Sequence, residues 1–131
     1  MPYKLKFEND GTGVVAIWSG TVTAGDMVAM NETIYSKEHL PFLRYQLMDF
    51  SRADCIKANP SDVHKVASQD REASIQNPNM LNAIVGSESF FDGWESFYKI
   101  YADFLAGAFG FQSNVFQDIE AARTWIDNTL R

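Results

Sequence analysis

Few side chains in this 131-residue chain have catalytic chemistry within reach. Cys55 is the lone cysteine, and His39 and His64 are the two imidazoles. A thiol becomes a nucleophile when a neighbouring base takes its proton. Cys55 and His64 fall in one strand-to-helix connection, so a Cys–His pair is the arrangement to weigh. Nothing in their spacing requires contact. His64 belongs to a polar helix face, and Cys55 reads as a partly buried small apolar residue in a loop beside Asp54. Asp49, Asp54 and Asp62 surround the same loop. A divalent cation needs convergent oxygen ligands, and no second acidic pair stands at the first strand end to complete such a set. One cysteine and two histidines are too few for a structural zinc site. No catalytic residue, metal or cofactor is therefore expected.

A second group of residues is polar and uncharged or acidic. In open α/β sheets, ligands sit outside the carboxyl ends of the strands. Helix N-termini point free N–H groups at that edge, where a small anion can bind. Thr23, Ser51, Asp54, Ser61, Ser87 and Ser89 fall there and are the candidate ligand-binding residues. The competing reading is that Thr23, Ser61 and Ser89 cap helices. No Gly-rich phosphate loop is present.

The third group is aromatic. Phe90, Trp94, Phe97, Tyr101, Phe104 and Ala108 share one helical stripe, which Phe91, Tyr98, Leu105 and Phe109 widen. A helix packed on a sheet needs an apolar arc of about 100° or somewhat more, and this arc is wider. One reading is a large core helix covered by its neighbours. The other is that the excess surface meets a second copy of the chain, a protein partner or a lipid-like ligand. Phe90, Trp94, Phe97, Tyr98 and Tyr101 are the residues expected at such an interface or apolar pocket, both of which favour aromatics.

The elements that must position these groups follow from periodicity. Tyr3, Leu5 and Phe7 alternate with charged residues, which marks a half-buried strand. Asn9-Asp10-Gly11 is a turn, and Val14 to Val22 is the second strand of an antiparallel hairpin. Thr23 opens a helix with Met27, Met30 and Ile34 on one face, ending before Pro41. Leu43 to Phe50 is the third strand, interrupted by Arg44, Gln46 and Asp49. A polar loop leads to Asn59-Pro60, an N-cap followed by proline, and a polar helix to about Gln76. Met80 to Val85, the aromatic helix from Phe90 to Ala108, Phe111 to Phe116 and a helix opened by Asp118 complete the chain. Gly107 and Gly110 mark the end of the aromatic helix. Strands and helices that alternate in this way predict a mainly parallel sheet with helices packed on it.

Bulk properties limit the partners. The length fits one domain, residues 1–131. The net charge is −6, and the 11 basic residues are scattered. Nucleic acid and anionic membrane surfaces both need clustered Lys and Arg, so neither is expected. No stretch has the roughly 18 consecutive apolar residues of a membrane span. The start, Met1-Pro2-Tyr3-Lys4-Leu5-Lys6, lacks an apolar run of signal-peptide length. A cytoplasmic protein is the expectation.

Several of these stretches also carry a resemblance. Leu47-Met48-Asp49-Phe50-Ser51 looks like the strand end that leads into the signature loop of anti-sigma-factor-antagonist (STAS) domains. The order Asp49, Ser51, Asn59-Pro60-Ser61-Asp62-Val63, then Ala83-Ile84-Val85, then Val115-Phe116 with Asp118, Ala121, Ala122 and Trp125, is more similar to the SpoIIAA-like family of small bacterial proteins. The resemblance covers nearly the whole chain. It implies an α/β fold with a single, mainly parallel five-stranded sheet, an antiparallel edge strand and about four helices. The antagonists carry Asp-Ser-Ser/Thr-Gly at the phosphorylated helix start. Here Ala58-Asn59-Pro60-Ser61 stands instead, which speaks against a kinase-controlled switch at Ser61.

The leading functional expectation is a non-enzymatic regulatory or binding module that acts through homodimerisation or protein contacts. The alternative is a carrier of a small hydrophobic or lipid-like ligand held between sheet and aromatic helix. An enzyme that uses Cys55 or the Asp49/Asp54 loop ranks third. A dimer predicts an exposed patch around Trp94 and Tyr98, and a carrier predicts an enclosed apolar pocket.

Overall fold

The computed structural model describes residues 2–105 and 110–131. Ten elements follow in order: β1 (Tyr3–Glu8), β2 (Gly13–Thr23), α1 (Ala24–Ile34), a 3-10 turn (Leu40–Phe42), β3 (Tyr45–Lys57), α2 (Pro60–Gln76), β4 (Leu81–Val85), α3 (Glu88–Leu105), β5 (Gln112–Phe116) and α4 (Ile119–Leu130). The expected end of the aromatic helix, with Gly107, Ala108 and Phe109, lies outside the described residues.

The strands pair in chain order, β1-β2-β3-β4-β5. β1 and β2 are antiparallel, and the other pairs are parallel. The hairpin turn forms because Asn9, Asp10 and Gly11 all take positive φ, a region that Asn, Asp and Gly enter at low cost. Each parallel pair is joined through a helix, as parallel strands require.

Side chains alternate across the sheet, so each strand feeds two cores. Val14, Ala16, Met48 and Ile84 pack with Met27 and Met30 of α1, Val63 and Val66 of α2, and Phe90 and Phe97 of α3. Val15, Leu47, Ala83 and Val85 face the other way and pack with Ala122 and Ile126 of α4. Three helices therefore cover one face and one helix covers the other. α2 packs against both α1 and α3. This is the α/β architecture expected from the pattern of the sequence. Among the described residues, no helix is long and apolar enough to cross a membrane.

One boundary differs from expectation. The third strand does not stop at Phe50 but runs on to Lys57. β2 is also long, and the two pair as a ribbon beyond the other strands, with Thr21 opposite Cys55 and Thr23 opposite Lys57. Two register shifts, between Ile17 and Ser19 and between Gly20 and Thr21, carry the pairing forward. Ser51, Asp54 and Cys55 are thus strand residues and not loop residues. The backbone partner supplied by β2 outweighs the weak strand propensity of Ser, Arg and Asp here. Cys55 is exposed rather than partly buried.

The start of β2 shows how tightly the sheet is fitted. Gly13 lies opposite Tyr45 on β3, and a Cβ at Gly13 would run into the Tyr45 ring. The ring is held there because its hydroxyl donates to Glu8 Oε2 at 2.9 Å and accepts from Asn9 Nδ2 at 2.7 Å. Gly13→Ala is expected to destabilise the fold by about 1–3 kcal/mol, the usual overpacking range. Urea denaturation measures this, and Tyr45→Ala in the same background should recover part of the overpacking loss.

Candidate ligand cavity

Between α3 and the sheet, the packing leaves a cavity of about 780 Å³. Its sheet wall follows from register. Gln46, Asn82 and Ser113 are successive partners across β3, β4 and β5. Met48, Ile84 and Val115 form the next row on the same face. All six line the cavity, which gives the sheet one polar row and one apolar row. The opposite wall is α3, where Trp94, Phe97, Tyr98 and Tyr101 recur at helical spacing. Aromatic contacts hold this wall together. Phe50 stacks on Phe90 at 4.8 Å and meets Trp94 at 5.4 Å, and Trp94 meets Phe97 at 4.9 Å.

The polar end is organised by Asp70 of α2. Its Oδ1 accepts from the Tyr35 hydroxyl at 2.6 Å and from Asn31 Nδ2 at 3.3 Å. Its Oδ2 accepts from the Tyr101 hydroxyl at 2.8 Å. Gln46 Nε2 donates to the Tyr35 oxygen at 3.1 Å. Helices α1, α2 and α3 thus meet at one carboxylate, which strand β3 reaches only through Tyr35. Removal from water pushes the Asp70 carboxyl up to about 6, although its three donors oppose the rise. Burial and the facing carboxylate push the Tyr35 and Tyr101 hydroxyls up as well.

Two buried atoms in this region have no hydrogen-bond partner among the described residues: Gln46 Oε1 and Asn82 Oδ1. Buried polar atoms are normally satisfied, and an orphan calls for an explanation. Both residues line the cavity.

Of the aromatic candidates, Trp94, Phe97, Tyr98 and Tyr101 are brought together in the cavity wall. Phe90 is fully buried in the core behind them. The polar candidates at the strand C-terminal edge stand elsewhere, and none lines the cavity. Thr23 Oγ1 caps α1, accepting from the Asp26 N–H at 3.1 Å. The Ser87 hydroxyl accepts from the Phe90 N–H at 3.1 Å and lies 3.2 Å from the Ser89 hydroxyl. Asn59, rather than Ser61, caps α2, and the Ser61 N–H donates to it at 3.0 Å. The Ser51 N–H donates to Asp49 Oδ1 at 3.0 Å, and Asp54 is exposed on β3. Cys55 Sγ reaches Thr21 Oγ1 at 3.9 Å, while the His64 ring stacks on Phe104 at 4.7 Å. Among the described residues, no three of His, Cys, Asp and Glu converge as metal ligands would.

Sequence reasoning missed Asn31, Tyr35, Asp70, Asn82 and Ser113. A signal was present for two of them. Asp70 continues the inward stripe of α2 through Val63, Val66 and Ala67, and Asn31 falls in the stripe of Met27, Met30 and Ile34. A polar residue on an apolar stripe is a buried polar residue.

No protein-family model matches the sequence, and no curated protein does. A solved structure similar to this chain is described as that of an uncharacterized protein from the DUF3478 family with a SpoIIAA-like fold, from Shewanella loihica PV-4. The two are 16% identical, the match covers 95% of this chain and 91% of that one, and the TM-score is 0.49.

The Asp70 carboxyl makes stability depend on pH. Its ordinary value is 3.8 and its folded value about 6, so the folded protein holds the extra proton between these limits. The stability it contributes is therefore greatest in acid and declines as pH rises through that window. The difference in unfolding free energy between wild type and Asp70→Asn, taken from urea titrations, should fall across the window and then level off. A flat difference would show that Asp70 titrates normally.

Proposed function

We propose that the protein is a non-enzymatic binding module that holds a small, largely apolar molecule between the sheet and α3. The observation that carries this reading is the cavity of about 780 Å³, within the roughly 300–1,000 Å³ of small-molecule sites. Its composition supports the same reading, with an apolar belt from Met48, Ile84, Trp94 and Phe97 and a compact polar end around Asp70. Residues of this kind grip an apolar body and orient one polar group.

A second reading is homodimerisation or a protein contact through α3. Tyr98 and Phe104 on this helix are 55% and 44% exposed, which leaves aromatic surface for a partner to cover. Light scattering tests it directly: a dimer that Phe104→Asp converts to a folded monomer supports it, and a monomeric wild type sinks it.

For the ligand reading, Ile84→Trp should fill the middle of the cavity. Nile red, a neutral apolar dye, is expected to bind wild type as one molecule per chain by native mass spectrometry. The variant should bind it at least about tenfold more weakly, a loss of about 1.4 kcal/mol, while circular dichroism shows the fold retained. No dye binding to wild type, or equal binding to both proteins, overturns the reading.

A further inference from the structure

The free hydrogen-bonding capacity at the polar end of the cavity is acceptor in character. Tyr35 gives its proton to Asp70 Oδ1, so its oxygen must accept from Gln46 Nε2. The Gln46 amide orientation is thereby set, and Oε1 is left as an acceptor without a donor among the described residues. The same logic holds one strand over. Ser113 Oγ donates to the Phe111 carbonyl at 3.3 Å, so it accepts from Asn82 Nδ2 at 3.4 Å. Asn82 Oδ1 is then the second orphan acceptor. Asp70 Oδ1 takes two donors and Oδ2 takes one, which leaves Oδ2 with room for another.

Charge points the same way. Asp70 has no ion-pair partner among the described residues, whose one ion pair is Arg123–Glu8. The groups that donate to Asp70 are neutral, Asn31, Tyr35 and Tyr101, and so is Gln46, which donates to Tyr35. The other charged lining residues, Glu95 and Lys99, are exposed, opposite in sign and one helical turn apart. The interior of the cavity is therefore net negative.

We infer that the ligand is an amine, bound in its protonated form with the ammonium among Asp70, Gln46 and Asn82 and its apolar body along α3. This rests on the ligand-binding reading above. An ammonium brings up to three donors and no acceptor, which is what the free acceptors lack. A desolvated carboxylate without a counter-ion gains most from a cation. A ligand carboxylate would meet only acceptors and a like charge. An alcohol would fill one acceptor and leave the rest empty.

Phenylbutylamine, phenylbutanol and phenylbutyrate share one apolar body and differ only in the head group. Each is titrated against Nile red bound to the full chain. The amine is expected to displace the dye at concentrations at least about tenfold lower than the alcohol or the carboxylate. Asp70→Asn should abolish that preference, with the amine losing more affinity than the alcohol. Gln46→Leu should weaken it and serves as a second variant if the first fails to fold. An amine that ranks level with or below either competitor, or that fails to displace a dye that does bind, overturns the amine assignment and leaves the cavity reading standing. Failure of the dye itself to bind overturns the cavity reading.

Discussion

The register of β3 between its parallel neighbours is the constraint on which the rest of the molecule depends. β3 is covered on both faces, so a slip by one residue would exchange its two sets of side chains. With the observed register, Tyr45 and Leu47 face α4, and Gln46 and Met48 face the three-helix layer. Tyr45 then reaches Glu8, which also holds Arg123 through two hydrogen bonds of 3.0 Å. One strand thus ties the edge hairpin to α4 on one face and supplies the cavity wall on the other. The Glu8–Arg123 pair lowers the Glu8 carboxyl, chiefly through that hydrogen bond, and a bidentate geometry is the form of surface ion pair that carries weight.

On the helical face, the equivalent tie is Asp70. A carboxylate that receives donors from α1 and α3 fixes the distance between three helices that otherwise meet through Val, Met and aromatic contacts. It does so at a cost, since its raised proton affinity records unfavourable desolvation. Apolar residues of similar volume would often stabilise such a site as well or better. Among the described residues, the same face holds three buried side-chain atoms without a partner, Gln46 Oε1, Asn82 Oδ1 and Trp18 Nε1, each costing about 1–3 kcal/mol. A layer built for stability alone would contain none of these features. Asp70, Gln46 and Asn82 line one cavity, whereas Trp18 Nε1 lies in the core away from it.

The sequence made the frame legible but exposed only part of the site. Periodicity identified the five strands and four α-helices, because the half-buried alternation of β1 and the inward stripes of α1 and α4 are strong signals, but not the 3-10 turn at Leu40–Phe42. It misjudged β3 beyond Phe50, where the strand exists because β2 lies beside it and not because of its own residues. The aromatic wall was legible too, since the arc on α3 was wider than a packed helix needs. The polar end was not. Gln46, Asn82 and Ser113 are far apart in the chain and meet only through the ladder register, which one sequence does not encode locally. Asp70 was hidden among the other charges of a polar helix, and its position on the inward stripe is what distinguishes it.

The strand C-terminal edge and the cavity also differ in what their polar groups are already doing. At the edge, Thr23, Asn59 and Ser87 each accept from a backbone N–H in the first turn of a helix. Helix termini leave orphan donors that must be satisfied, and these side chains satisfy them. A side chain occupied in this way has little left for a ligand, and those N–H groups are no longer open to an anion. In the cavity the situation is reversed. Gln46 and Asn82 each use their amide nitrogen within the protein, and among the described residues their oxygen has no partner. Residue type alone made the edge a candidate, with its serines, threonine and aspartate, beside the reading that they cap helices. Residual hydrogen-bonding capacity favours the cavity, and capacity is what a ligand encounters.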